Sequence, residues 1–402
     1  MPFHRLLPLL PFLLLSCNTQ TPINENVRIT EVENSLTPQV VFGDTLPSLN
    51  LQQRMREMGI KGLSIAVIDD YKIVWAKGYG WADSAGGKKV TQETRFQAAS
   101  ISKSLNSLAV MKLAEQEKLD LEADINNYLQ SWKFPYDSLS NGKRINALQL
   151  LSHTAGLNVH GFPGYTPTDS LPTLLQILNG ERPANSGAVR SEFEPGTQFK
   201  YSGGGSTILQ LMVEDISGKD YATYMEENVL KPLGMTNSSF RQPPMENAMY
   251  ATGYYENGEA VKGNFHIYPE QAAAGLWTTP TDLAKYLLDC QLTLKGEQGK
   301  LLSRETMQKR MTPYFDTVFA LGVFIIDRAG TKYFNHNGGN EAFLCTSYGS
   351  LEGGRGVVIM INGENFEVIN ELLNSVARVY KWPGFFVPEF RKEVAEEPRL
   401  KR

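Results

Sequence analysis

Cysteine is scarce in this chain. Its 402 residues include three, Cys17, Cys290 and Cys345. So few thiols exclude a disulfide framework as the basis of the fold. Histidine is nearly as scarce at five, and no HExxH or Cys/His ligand spacing is present. The sequence therefore predicts no metal and no cofactor. An excess of one charge is also lacking. Thirty-nine Lys and Arg face 43 Asp and Glu, a net charge of −4, and no basic stripe suggests nucleic acid as a partner. Long apolar runs are absent too. The best of them, Leu6 to Leu15, is too short for a permanent membrane span and suits the core of a signal peptide.

That run follows Arg5 and ends in Leu14-Leu15-Ser16-Cys17, which resembles a bacterial lipobox. The resemblance implies removal of residues 1–16, lipidation of Cys17 and attachment of the protein to a membrane through that residue. Asn18 follows the cysteine, which favours the outer membrane of a cell envelope, facing the periplasm. Residues 17–45 are polar with little apolar periodicity and read as a flexible tether spanning about 30 Å. Residues 46–385 read as one compact unit with two lobes. The charged tail, 386–402, is expected to be poorly ordered. Whether Cys290 and Cys345 pair stays open at this stage.

Ser100-Ile101-Ser102-Lys103 opens an apolar stretch that runs to Ala114. On a helix, positions three apart share a face. A serine hydroxyl is a weak nucleophile until a neighbouring base takes its proton, and a lysine is such a base only when burial lowers its pKa. Ile101, Leu105, Leu108, Ala109, Val110 and Leu113 supply the hydrocarbon around Lys103. Ser140-Asn141-Gly142-Lys143 repeats the spacing, but on an Asn-Gly turn signal in a polar stretch, and reads as a loop.

The coarse layout is α+β. Leu63–Asp69 and Lys72–Gly80 are β-rich runs around Asp70-Tyr71, a hairpin signal. Residues 100–118 read as the helix of Ser100. Short helical patterns follow at Ala147–Ser152, Leu171–Leu178 and Ser206–Ser217. Strands return at Phe319–Ile326, Lys332–His336, Phe343–Gly349 and Gly356–Ile361, and Asn365–Tyr380 reads as an amphipathic helix. The simplest assembly is one antiparallel sheet built from both chain ends and flanked by helices, with a mostly helical lobe inserted between.

On these motifs the chain resembles the serine β-lactamase and penicillin-binding-protein superfamily, on the branch of class C β-lactamases, D-alanyl-D-alanine carboxypeptidases, D-aminopeptidases and esterases. Phe96 to Lys103 (FQAASISK) matches its first motif, and Leu150 to Leu157 (LLSHTAGL) the segment that follows it. Glu194-Pro195-Gly196 leads to Phe199-Lys200-Tyr201-Ser202-Gly203, where the second motif, Y-x-N, belongs. Pro232 to Thr236 (PLGMT), Ala274 to Leu283 (AGLWTTPTDL) and His336-Asn337-Gly338-Gly339 complete the series. The resemblance implies an acyl-enzyme on Ser100, proton transfer shared by Lys103 and Tyr201, and an oxyanion hole from the Ser100 and Gly339 N–H groups. It further implies substrate binding along His336, Gly338 and Gly339. No G-x-S-x-G is present, which disfavours the nucleophile elbow of the α/β-hydrolases.

Two departures bear on function. Glycine stands at 203, where the superfamily has an Asn that links the lysine to the substrate's amide. His336 opens the third motif in place of Lys, so a substrate carboxylate is held less firmly. The sequence therefore points to a serine hydrolase of esters, small amides or peptides, D-amino-acid or cell-wall derived among them. A catalytically weak envelope-bound penicillin- or peptidoglycan-binding protein and a true β-lactamase remain the alternatives. His153 reads as structural, and Gly203-Gly204-Gly205 as crowding beside the site. Trp277, Tyr254 and Phe343 are either cleft or core.

Overall fold

The computed structural model describes residues 24–246, 248–315 and 318–392. The signal peptide and Cys17 lie outside these residues. Among the described residues, no helix is long and apolar enough to cross a membrane.

The stretch read as a tether is folded from residue 25 onward. Asn24 caps helix α1 (Glu25–Glu33), its side chain accepting the Asn26 N–H at 3.1 Å. Ile29 and Val32 share one face of α1 and Leu36 follows just beyond its end, and Val32 and Leu36 are fully buried. Strand β1 (Val40–Phe42) then pairs in parallel with β11 (Glu389–Arg391), so the start of the expected disordered tail is also folded. Three apolar side chains suffice because the helix needs to bury only one narrow face.

After α2 (Leu51–Glu57), β2 (Gly62–Asp69) and β3 (Lys72–Asp83) form the expected hairpin. Asp70 (φ +46°) and Tyr71 (φ +59°) are both left-handed, as a two-residue turn between twisted strands requires. Short strands β4 (Lys88–Lys89) and β5 (Phe96–Gln97) lead to α3 (Ser102–Glu115). The helical lobe holds α4 (Ala147–Leu151), α5 (Leu174–Asn179), α6 (Gly203–Ser217), α7 (Tyr221–Met225), α8 (Lys231–Leu233) and α9 (Gln271–Ala274). Reciprocal side-chain caps at Asn146/Gln149 and Thr173/Gln176 start α4 and α5. Strand β6 (Trp277–Thr278) pairs with β5, and α10 (Pro280–Lys295) and α11 (Arg304–Arg310) return the chain to the sheet. Strands β7 (Phe324–Arg328), β8 (Thr331–Asn340), β9 (Phe343–Ser350) and β10 (Gly356–Ile361) follow, then α12 (Phe366–Val379).

The central sheet has seven antiparallel strands in the order β4-β3-β2-β10-β9-β8-β7. Both chain ends build it, because β2 pairs with β10 from Leu63↔Ile361 to Ile68↔Gly356. Side chains alternate between its faces. Leu63, Ile65, Val67, Val357, Ile359 and Ile361 pack with α12, α2 and α1. Ala66, Ile68, Val358 and Met360 belong to the larger core that contains α3, α10 and the lobe.

Trp277, Tyr254 and Phe343 are buried and belong to the core, not to an open cleft. Cys290 and Cys345 are buried free thiols. The second S-x-x-K is a turn, with Asn141 left-handed at φ +48°.

Candidate active site

Ser100 does not start the helix. It sits in a single 3₁₀ turn, Ala99–Ile101, directly before α3. Ala99 has φ +46°, an unusual conformation for alanine and a local strain at the site. Neighbours hold this turn on two sides. The Ala98 N–H donates to the Leu276 carbonyl at 2.8 Å, and the Cys345 thiol donates to the Ala98 carbonyl at 3.2 Å. A Cβ on Gly338 would come within 2.3 Å of that same carbonyl, so only glycine lets β8 approach so closely. Strand β7 pairs with β8 only as far as Asn335. His336 to Asn340 therefore present an edge without a β7 partner, beside the Ser100 turn. Gly339 is exposed on that edge.

Lys103 lies in the first turn of α3 and is buried. Its Nζ is 3.1 Å from Ser100 Oγ and donates to the Ala273 carbonyl at 2.7 Å. Burial lowers its pKa to about 7, so the neutral amine is a major species at neutral pH. Tyr201 lies in irregular backbone directly before Ser202, the cap of α6. Its ring centroid is 5.0 Å from Lys103 Nζ. Burial pushes the phenol's pKa up, against a hydrogen bond with Ser100 that pulls it down. Tyr201 is thus a neutral phenol and Lys103 the better proton acceptor.

Three imidazoles surround Tyr201. His153 is 4.3 Å away between ring centroids, buried, and its Nδ1 accepts the Ser202 N–H at 3.2 Å. Desolvation holds its pKa well below the ordinary range, so it is a neutral, hydrogen-bonded support. His336 is 6.2 Å away and buried. Its Nδ1 lies 2.6 Å from the Asn337 carbonyl, which can only accept, so Nδ1 carries the proton. Nε2 is buried with no partner and is left as an acceptor. Burial, then Lys103, pushes the pKa of His336 down to about 3. His336 is therefore uncharged, where the sequence alone suggested partial charge. His160 is the third, 5.1 Å from Tyr201 and exposed.

Gly203 now has a geometric reason. A Cβ there would lie 3.1 Å from both the His160 carbonyl oxygen and the Phe162 ring. The Gly203 and Gly204 N–H groups donate to the carbonyls of His160 and Val159 at 2.9 and 3.0 Å. The loop 158–162 lies on the start of α6 and fills the room a side chain would need, which is the crowding the glycine run suggested.

The structure thus brings Ser100, Lys103, Tyr201 and His336 together, with Gly338 packed under the turn and Gly339 further along the edge. Sequence reasoning missed the Ala273 carbonyl, since no side-chain pattern marks a backbone acceptor. It also missed the aromatic support from Phe199, Phe319 and Phe324, whose rings pack on His153 and His336.

The family described as Beta-lactamase matches residues 49–378. The Flp protein of Staphylococcus aureus (strain MRSA252) is 28% identical over 240 residues, which is 59% of this chain and 46% of Flp. The chain thus spans less than half the length of that curated relative. Among solved structures, the octameric penicillin-binding protein homologue from Pyrococcus abyssi is 25% identical with a TM-score of 0.68, over 82% of this chain and 76% of that one. The D-amino acid amidase from Ochrobactrum anthropi SV3 shares the fold at a TM-score of 0.68 and 18% identity, over 88% and 99% of the two chains.

Proposed function

The chain belongs to the beta-lactamase family, and from that premise we propose that it is a serine hydrolase that forms an acyl-enzyme on Ser100 and acts on esters and small amides. One observation carries the reading. Lys103 Nζ stands 3.1 Å from Ser100 Oγ, buried and with its pKa lowered to about 7. A buried amine in contact with a hydroxyl is the arrangement that turns serine into a nucleophile.

The steps follow from the neighbours. The Lys103 amine takes the Ser100 proton as Oγ bonds to the substrate's carbonyl carbon. The carbonyl electrons move onto oxygen, where the Ser100 and Gly339 N–H groups receive them; each such donor is typically worth about 10²–10³ in rate. Collapse breaks the bond to the leaving alcohol or amine. That group takes a proton from the Tyr201 phenol, which is refilled from the Lys103 ammonium. Water then attacks the ester on Ser100, Lys103 accepts its proton, and the acid leaves as Ser100 Oγ is reprotonated.

The charges around Ser100 support a substrate without a carboxylate at the reacting end. His153 and His336 are neutral at pH 7, and Lys103 is divided about equally between amine and ammonium. None of the three offers the fixed positive charge that a penicillin or a peptide C-terminus would pair with. Attachment to a membrane through Cys17 is part of the same reading, and radiolabelled palmitate should enter the wild-type precursor but not Cys17→Ala.

Treatment with a fluorophosphonate, read by intact mass, tests the proposal. A single adduct on wild type, absent from Ser100→Ala, is the expected result. No adduct on folded protein would sink the enzyme reading and leave a cleft that binds without turnover. Where turnover is found, kcat/KM should rise through about pH 7 as Lys103 loses its proton, since the protonated amine cannot act as base. His336, already neutral, should add no inflection between pH 5 and 8.

A further inference from the structure

Strand β3 runs on past the start of β2, and the overhang builds a second cavity. The Trp81 N–H donates to the Lys61 carbonyl at 2.7 Å. Gly80 takes φ +71° there, and a Cβ on it would lie 2.1 Å from that carbonyl and 3.3 Å from Met55 Cε of α2. Only glycine fits so crowded a left-handed position. Strand β4 pairs with the overhang, Trp81 opposite Lys89, across a register shift. These pieces enclose about 510 Å³, a size typical of small-molecule sites. The buried Met55 and Ile60 and the partly buried Trp81 line it, together with Arg56, Lys61 and Lys89. No carboxylate among the described residues lines it, and none of its lining residues belongs to the Ser100 site.

Cations on the same elements are paired elsewhere. Arg54 meets Glu57 and Glu371, Lys77 meets Glu33, and Lys88 meets Asp83. Among the described residues, Arg56, Lys61 and Lys89 have no ion-pair partner. Lys89 instead sets its Nζ 3.2 Å from the centroid of the Trp81 ring, a weak hold at an exposed site that an anion can displace. The whole chain carries a net charge of −4, so the local excess does not reflect composition. Three like charges around one concavity repel one another and draw a counter-ion into it.

We propose that this cavity binds a small phosphate monoester, its phosphate among Arg56, Lys61 and Lys89 and its apolar body against Met55, Ile60 and Trp81. A phosphate dianion offers three strong acceptor oxygens to these donors, where a carboxylate offers two and half the charge. The apolar lining takes the body out of water. A concave pocket encloses a free molecule better than the surface of a bilayer, so the ester is a soluble one. The site stands apart from Ser100 and does not rest on the hydrolase reading.

Isothermal titration of the full chain at pH 8 with 1-naphthyl phosphate tests it, beside 1-naphthol as the body alone and inorganic phosphate as the head alone. Wild type should bind the ester at least about 10-fold more tightly than either fragment. Lys61→Met and Lys89→Met keep the stems and remove the charge. Each should weaken the ester about 10-fold, the worth of one charged hydrogen bond, and salt at about 0.5 M should weaken wild type in the same direction. Melting curves and fluorophosphonate labelling of Ser100 should match wild type in both variants. Ser100→Ala should bind the ester unchanged; lost binding there would place the ester in the catalytic cleft and overturn the proposal. Three other results overturn it: no binding to wild type at millimolar ester, unchanged affinity in both lysine variants, or equal affinity for either fragment. Capture on phosphatidic acid vesicles without affinity for the free ester would assign the cations to a membrane, and the soluble ligand would be refuted.

Discussion

The two faces of the central sheet obey different rules. On the α12 face, the odd-numbered residues of β2 and β10 meet helices in an almost wholly apolar layer. Its charges are paired: Glu371 of α12 is buried but accepts from Arg54 of α2 at 2.7 Å. Arg28 of α1 reaches Asp69 at 3.2 Å with both side chains partly exposed. On the α3 face, Lys103, Arg310 and Glu270 are buried. Lys103 bonds to Ser100 and a carbonyl, Arg310 to neutral groups, and the Glu270 carboxyl has no hydrogen-bond partner among the described residues. Buried charge without an opposite partner costs stability. A face that carries such groups, Asp289 of α10 among them, while the buried Glu371 of its counterpart is paired, is the face where chemistry was placed at the expense of packing. Each group meets the cost differently: Lys103 sheds its proton, Glu270 keeps one, and Arg310, which can do neither, is wrapped in acceptors.

The largest effect expected from breaking this contrast is at Lys103. Lys103→Met keeps the stem and removes the amine. Fluorophosphonate labelling of Ser100 should slow by about 10³-fold or more, while the melting temperature holds or rises, because a desolvated amine is gone. A variant that loses both reactivity and several degrees of melting temperature would make the amine structural and erase the contrast.

Arg310 sharpens the comparison next. Its Nε donates to Ser107 Oγ at 3.1 Å, and Nη2 donates to the Ser104 carbonyl at 2.9 Å and to Tyr286 Oη at 3.0 Å. Ser104 and Ser107 in turn donate to the carbonyls of Gly322 and Leu321 at 2.8 and 2.6 Å. The guanidinium thus ties α3, the helix that presents Lys103, to α10 and to the segment before β7. Arg310→Met leaves these acceptors buried and unpaired and should cost about 4 kcal/mol by urea denaturation. Arg28→Met, at the rim of the other face, should cost under about 1 kcal/mol. Equal losses would show that the α3 face is no more demanding than its partner.

Much of this was legible in the sequence, for identifiable reasons. Short, turn-bounded β-rich runs announced β2, β3, β9 and β10, and β2 and β10 are near-continuously apolar because both their faces are packed. Ser100, Lys103, Tyr201 and His336 sit in motifs whose order along the chain matches their meeting in space. What was not legible depends on partners remote in sequence. α1 buries a face of only a few apolar residues, so its polar composition read as a tether until α12 supplied the surface to cover it. α6 begins at Gly203 instead of Ser206 because Ser202 caps it, accepting the Gly205 N–H at 3.0 Å, and the 158–162 loop needs glycine beneath it. The neutrality of His336 follows from burial beside Lys103, which no local pattern encodes. The fate of the two thiols, one of them under the Ser100 turn, likewise needed the packed core.

The smallest effect lies at Glu270 and separates the buried groups by pH. Both its carboxyl oxygens are buried without a partner, and burial raises its pKa from 4.5 to about 7. The folded protein then holds a proton that the unfolded chain has released. Stability must fall as pH rises from about 4.5 to about 7 and stay level above, a loss of about 3 kcal/mol. Lys103 works in a different window and with the opposite sign. Its pKa falls from 10.5 to about 7, so its contribution to stability grows as pH rises from about 7 to 10.5. Glu214, raised to about 7 by partial burial, adds to the acid window and remains in any Glu270 variant. Urea midpoints at pH 5 and pH 7.5 should therefore differ less for Glu270→Gln than for wild type, and Lys103→Met should flatten only the range above pH 7. If Glu270→Gln kept the full acid slope, its carboxyl would have found a partner in solution, and the α3 face would be less costly than its geometry makes it.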